Sequence, residues 1–341
     1  LFNSSIESGF SSEKAFSGLE ILAQYQIPVL RFNAGVFYYN ELRHYFENKQ
    51  LYLSTIKSIV DKAEELRIGL IPSFFWKSNC VPDYYDEPIR RWGDSDSDTR
   101  EFMREYTLEL VNLLKDSKAI WGWEFGNEFN LAVDLPNADK HVPALPKNSS
   151  RASRTAEDYL KTVDINSAYK EFAKIVGDLD DKNRFISSGN GNLRPSQYNQ
   201  YASNATSWQQ DTQTEHKEIT LMLNPEGYGV ICEHLYFLSA KYFGNDNLSL
   251  SEYVMINTDI AKEAKKPYFV GEFGSRVADI QTICQMVETF VNNKVHLALL
   301  WNYAPVNTNV EHSFNESAEY GRSLLELIED YNRQLRQRGG N

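Results

Sequence analysis

The chain has 341 residues, 42% of them hydrophobic, and only 18 Gly and 11 Pro, a composition that excludes collagen-like, low-complexity and largely disordered proteins. Lys and Arg total 35 against 47 Asp and Glu, a formal charge of −12, so a phosphate backbone or an anionic membrane meets net repulsion and no nucleic acid partner is expected. The length admits two domains or one α/β barrel, since such barrels run to ~200–400 residues as a single unit.

In chain order, Leu1–Ser4 is the weakest strand candidate, and the helical period of 3.6 first shows over Glu13–Tyr25. The short apolar run Pro28–Phe32 reads as a buried strand, Leu51–Leu66 as a helix, Ile68–Phe74 as a strand and Arg100–Lys115 as a helix whose N-cap is Asp98 with Glu101 three residues on. The alternation continues through strand Ile120–Phe125, helix Tyr159–Val176, and strands Arg184–Ser187 and Gly229–His234. Helix Ser251–Ala264, strand Tyr268–Gly271, helix Ile280–Asn292 and strand Val295–Leu300 complete it. Seven short strands alternating with helices call for a parallel sheet with right-handed crossovers. With neither an internal repeat nor a Pro/Gly/Ser-rich linker, the fold class expected is α/β, a single (β/α)8 TIM barrel formed by residues 1–341. The long connections 73–98, 130–158 and 189–228 all leave strand C-terminal ends, the face where such barrels build active sites.

Three Cys, Cys80, Cys232 and Cys284, form neither a disulfide framework nor a zinc cluster. No apolar run reaches the ~18 residues that span a bilayer, so no membrane insertion is expected. The start at Leu1 without Met fits a chain left after leader removal, with an extracellular or periplasmic location. Gly189–Asn190–Gly191–Asn192 lacks the third Gly of a dinucleotide loop, and Asp94–Asp98 imitates a calcium loop but has Thr99 where Gly is required. The His residues show no metal spacing, so neither cofactor nor metal is expected.

Two strand ends carry the chemistry. In Ile120–Glu128 the strand ends on Asn127–Glu128, with Glu124 deeper on the same face by strict alternation and assigned to hydrogen bonding inside the barrel. The run Tyr268–Gly274 delivers Glu272 from a second strand. Two carboxylates facing each other ~5–5.5 Å apart across a barrel mouth define a retaining glycoside hydrolase. A single strand-end Glu is as well explained by a solvated rim charge; the pair in matching contexts is more specific.

With these residues in view, the sequence resembles clan A glycoside hydrolases, and glycoside hydrolase family 5, the cellulase and β-mannanase family, in particular. Counting an N-terminal strand as first, the resemblance places Arg31 at the end of strand two, steadying the nucleophile, and Asn127 with acid/base Glu128 at the end of strand four. His234 and Tyr236 fall at strand six, nucleophile Glu272 at strand seven and Trp301 under the sugar at strand eight. One departure is plain: many members have a His at strand three, and Ile71–Trp76 has none. On these roles Arg31 keeps Glu272 ionised, Tyr236 donates to it, and apolar surroundings raise the pKa of Glu128 for its work as an acid.

The 6 Trp, 20 Tyr and 19 Phe exceed what a core needs, and many follow strand ends. Among them are Phe37, Tyr38, Tyr39, Phe75, Trp76, Tyr84, Tyr85, Trp92, Trp208, Tyr242 and Phe243. Aromatic planes stack on the C–H faces of sugars, and Trp76, Trp92 and Trp208 are the expected substrate contacts. The function expected is therefore retaining hydrolysis of a β-mannan or β-glucan type poly- or oligosaccharide. A glycan-binding pseudoenzyme or a transglycosylase on the same barrel is the alternative.

Overall fold

The computed structural model describes residues 5, 9–36, 39–236, 241–275, 279–304 and 313–339, and the side chains of 36–41 lie outside that description. Residues 1–4, the weakest expected strand, also lie outside it, as do Phe37 and Tyr38.

All seven other strands form: β1 Val29–Val36, β2 Gly69–Phe75, β3 Gly122–Gly126, β4 Phe185–Ser187, β5 Ile231–Tyr236, β6 Tyr268–Gly274 and β7 Leu297–Leu300. They pair in parallel as β1-β2-β3-β4 and β5-β6-β7. At β4 and just beyond it, Gly229 N donates to Ile186 O at 3.0 Å and His234 N to Asn190 O at 2.8 Å, which joins the two sheets at that seam. Each strand is followed by helical segments, the arrangement of a TIM barrel. Among the described residues no strand pairing joins β7 to β1.

The helices form where apolar residues recur at helical spacing and polar residues stop the ends. Helix α1, Glu13–Gln24, buries Ala15, Gly18, Leu19 and Leu22, a single stripe. Helix α2 is Tyr39–Glu47, and α3, Lys49–Glu65, buries Tyr52, Ile56, Ile59, Val60 and Ala63. Short α4, Cys80–Tyr84, precedes α5, Asp98–Leu114, which is capped by Ser97 rather than by the expected Asp98. The Ser97 hydroxyl accepts from Arg100 N, while Asp98 N itself donates to Glu87. The remaining helices are α6 Thr162–Leu179, α7 Gln197–Ala202, α8 Gln213–Leu223, α9 Leu250–Glu263, α10 Ile280–Asn292 and α11 Glu319–Gly339. Capping boxes start α8 (Thr212 with Glu215) and α9 (Ser249 with Glu252). No described helix is long and apolar enough to cross a membrane.

Strand alternation divides the core in two. One set of side chains packs outward against the helices, a continuous layer that includes Phe74, Trp123, Phe125, Val270 and Phe273, with Tyr169 of α6 among the residues they meet. The other set fills the lumen: Val29, Ile71, Val230, Cys232 and Phe269 form a plug at its base. Two residues further along their strands, Arg31 lies above Val29 and His234 above Cys232. The apolar plug is thus the floor on which the polar site rests.

Candidate active site

Arg31 is the hub. Its side chain is 4% exposed, and it donates through Nε to Glu124 Oε1 at 2.5 Å and through one terminal nitrogen to Glu272 Oε1 at 2.5 Å. The other terminal nitrogen donates to Asn127 Oδ1 at 2.8 Å. The guanidinium also lies over the Trp76 ring, 4.7 Å from its centroid. Glu124 is fully buried and takes Ser187 Oγ on its second oxygen at 3.0 Å, the interior hydrogen bonding expected of it. Two carboxylates hold the Arg31 proton firmly: burial works against the charge, but Glu124 and Glu272 outweigh it and raise the pKa.

Glu272 reaches the lumen through an irregularity in the ladder. Phe269 belongs to the lumen plug and Val270 to the outer layer, so strict alternation would turn Glu272 outward. The register between β5 and β6 instead slips by one: Glu233 faces Val270, but His234 faces Glu272 and Gly271 is the extra residue. This bulge returns Glu272 to the lumen beside His234. Gly271 lies against the His234 ring, where a Cβ would come within 3.0 Å of Nε2. The second Glu272 oxygen accepts from Tyr236 Oη at 2.7 Å. Burial, then Glu272, pushes the Tyr236 hydroxyl well above its ordinary value, so it stays a donor.

Glu128 leaves the strand altogether, at φ 56°, ψ 30° in the left-handed region, a conformation that costs a non-Gly residue about 1–2 kcal/mol. Its N–H donates to Gly189 O at 2.7 Å. Gly189 has φ 64°, and a Cβ there would stand 1.9 Å from Gly126 O, so the partner must be glycine. The Glu128 carboxylate meets His234 Nδ1 at 3.0 Å, and the same nitrogen is 3.6 Å from Glu272 Oε1. His234 Nε2 is buried with no hydrogen-bond partner among the described residues. One atom from each of Glu128, His234 and Glu272 lies within 4.8 Å of the others.

The expected rise in the Glu128 pKa is corrected. Burial does push this carboxyl up, but the hydrogen bond and charge of His234, with Arg31 behind them, outweigh it and hold the pKa below the usual glutamate value. Beneath His234, burial raises the Cys232 thiol to about 12, which leaves it inert as a nucleophile.

The structure brings Arg31, Asn127, Glu128, His234, Tyr236 and Glu272 into one network. Trp301 stands at the end of β7 with its ring stacked near Trp76, centroids 5.8 Å apart and planes 24° apart. No His comes from β2; Trp76 occupies the place over Arg31. A cleft of about 570 Å³ opens outward from Glu128, bounded by Trp76 and by Trp208, which is 59% exposed. Trp92 is corrected: it is fully buried, donates to Ser78 O at 2.6 Å and packs on Phe75, Phe125 and Phe129, so it supports the loop from below and meets no ligand. Phe75 and Tyr242 are buried too, so much of the aromatic surplus is packing. Lys77, His141 and Arg194 line the cleft unforeseen, because nothing local in the sequence marks a loop cation as facing one.

Solved structures share the fold at low sequence identity. The endo-1,4-β-D-mannanase of Thermotoga petrophila RKU-1 superposes with a TM-score of 0.68 at 16% identity, over 94% of this chain and 96% of its own. GH5_18 from Streptomyces cattleya, in complex with GlcNAc, gives 0.61 at 11% identity over 96% and 76%. The exo-β-1,4-mannosidase Op5Man5 from Opitutaceae bacterium strain TAV5 gives 0.57 at 14% over 94% and 52%. No curated protein matches the sequence. The family model described as Cellulase (glycosyl hydrolase family 5) matches residues 15–307. The barrel, the paired strand-end carboxylates and this match over most of the chain agree: the protein belongs to glycosyl hydrolase family 5 and is a glycoside hydrolase.

Proposed function

We propose that the protein is a retaining β-glycosidase acting by double displacement on a β-mannan or β-glucan, with Glu272 as nucleophile and Glu128 as acid/base. The approach of the two carboxylates around His234 Nδ1, one oxygen of each within 4.8 Å of the other, carries this reading. A retaining pair stands ~5–5.5 Å apart, whereas an inverting pair needs ~6.5–9.5 Å for an intervening water.

In the first step a Glu272 oxygen bonds to the anomeric carbon while Glu128 passes its proton to the departing glycosidic oxygen. Arg31 and Tyr236 position Glu272 for in-line attack. As the ester forms, Glu272 loses its charge; Glu128, now ionised, takes a proton from water, whose oxygen displaces Glu272 and restores the original anomeric configuration. Asn127, whose carbonyl oxygen is held by Arg31, offers its NH2 to a sugar hydroxyl. Trp76, Trp208 and Trp301 supply stacking surfaces. The likeness to a mannanase fold makes β-1,4-mannan the first substrate to test, with glucan and xylan beside it. A polymer of this kind stays outside the cytoplasmic membrane, which agrees with extracellular or periplasmic action.

The test is Glu272→Ala on an activated glycoside. Hydrolysis is expected to vanish, and azide to restore turnover with a glycosyl azide of inverted configuration as product. Full activity in the variant overturns the assignment. Binding of glycans by the unaltered protein, with no reducing ends released from any polysaccharide tried, would instead make it a pseudoenzyme.

A further inference from the structure

We propose that the cleft beyond Glu128 selects a departing sugar that bears an anionic substituent, a carboxylate or a sulfate ester, recognised by Lys77 and Arg194. This rests on the hydrolase reading for its direction. The cleft is lined by Asn127 and Glu128 but not by Glu272. A general acid stands beside the oxygen it protonates, which leaves with the departing sugar. The departing sugar therefore lies on the Glu128 side, in this cleft.

Its charge runs against the rest of the molecule. Acidic residues outnumber basic ones 47 to 35 in the chain, yet apart from Glu128 the charged side chains lining the cleft are Lys77 and Arg194, with the His141 imidazole beside them. Arg194 is the sharper observation. Its Nε donates to Gln200 Oε1 at 2.7 Å, one terminal nitrogen to Asn130 O and Leu131 O at 3.1 and 3.0 Å, and the other to Val133 O at 2.7 Å. Every one of these acceptors is neutral. The other well-buried arginines each contact a carboxylate: Arg31 with Glu124 and Glu272, Arg100 with Glu171, Arg154 with Asp83, and Arg184 with Asp180.

Among the described residues Arg194 has no such ion pair, and burial pushes it down to about 10. A shielded cation whose hydrogen bonds all go to carbonyl oxygens, with Asp134 and Asp211 acting on it only from beyond ion-pair distance, gains from an anion at contact distance. Leu131 and Ala132, which line the cleft, belong to the segment 130–133 that Arg194 holds, so the ligand that supplies the anion also meets the loop the cation organises. The chain's net charge of −12 does not oppose this at close range, because fields beyond ~8 Å are screened at physiological salt.

The experiment uses mannohexaose and cellohexaose, each neutral, singly oxidised at C6, or singly 6-O-sulfated, with the full-length enzyme. Expected is a kcat/KM on the order of tenfold higher for a charged form than for its neutral parent. Mass spectrometry should place the charged sugar at the newly formed non-reducing end, and whichever charged form gains more identifies the substituent. Lys77→Met should lower the charged-to-neutral ratio, and Lys77→Arg should keep it. A neutral hexaose cleaved as well as both charged forms overturns the proposal. Failure to cleave all six counts against the hydrolase reading instead. Calorimetric binding of the same six to Glu272→Ala then decides the charge preference: tighter binding of a charged form upholds it, and equal or weaker binding overturns it.

Discussion

Glu233 offers a test of the buried electrostatics that leaves the chemical site untouched. It precedes His234 on β5 but points into the outer layer, where Tyr253 donates to it at 2.6 Å and Tyr268 at 2.8 Å. Burial raises its pKa from 4.5 to about 7 in spite of both tyrosines. The folded state therefore keeps this proton at pH values where the unfolded chain has lost it. The stabilisation is present in full below about pH 4.5 and is lost as pH rises to about 7. At about 1.4 kcal/mol per unit of pKa, the loss between pH 5 and pH 8 comes to about 2 to 3 kcal/mol. Glu233→Gln keeps the shape and cannot titrate. Urea unfolding followed by Trp fluorescence, run on both proteins from pH 5 to pH 8, should show the variant gaining about 2 to 3 kcal/mol relative to the parent across that interval. Titrations elsewhere cancel in the difference, so a difference that stays flat with pH refutes the reasoning.

The His234→Asn variant removes the group that holds Glu128 down, leaving burial to raise it. Because a general acid works protonated, the alkaline limb of the pH profile of kcat/KM should move up; a limb that stays or moves down contradicts the assignment. The two loop tryptophans should separate cleanly by urea unfolding and steady-state kinetics. Trp92→Ala is expected to lose about 3–5 kcal/mol of stability, and exposed Trp208→Ala to stay within about 0.5 kcal/mol while raising KM for polysaccharide severalfold.

All seven interior strands were legible as apolar runs, but three of them outlast those runs by two residues or more. β1 continues past Phe32 to Val36, β5 past His234 to Tyr236 and β6 past Gly271 to Gly274. The added residues carry polar groups into the site, so an apolar criterion stops where the chemistry begins. Arg31, Glu128 and Glu272 were readable because strand-end position and neighbours mark them together. The ladder slip at Gly271 was not, since nothing local says that two residues of β6 share one place opposite β5. The sign of the Glu128 shift was hidden for a similar reason: His234, which decides it, is 106 residues away. Trp76 and Trp92 give the same sequence signal, and only packing assigns one to the cleft and the other to the core.

The network centred on Arg31 also bridges the two hydrogen-bonded halves of the barrel. Arg31 on β1 grips Glu272 on β6, and Glu128 after β3 meets His234 on β5. On the double displacement proposed above, an ester at Glu272 would neutralise one end of the Arg31 bridge, so each turnover would slacken a clasp between the halves and hydrolysis refasten it. A trapped glycosyl-enzyme should then exchange backbone amide hydrogens faster along β1 and β6 than the resting enzyme does. Chemistry and mechanical cohesion share the same few atoms here, so heating should cost the protein its activity no later than its first loss of barrel structure.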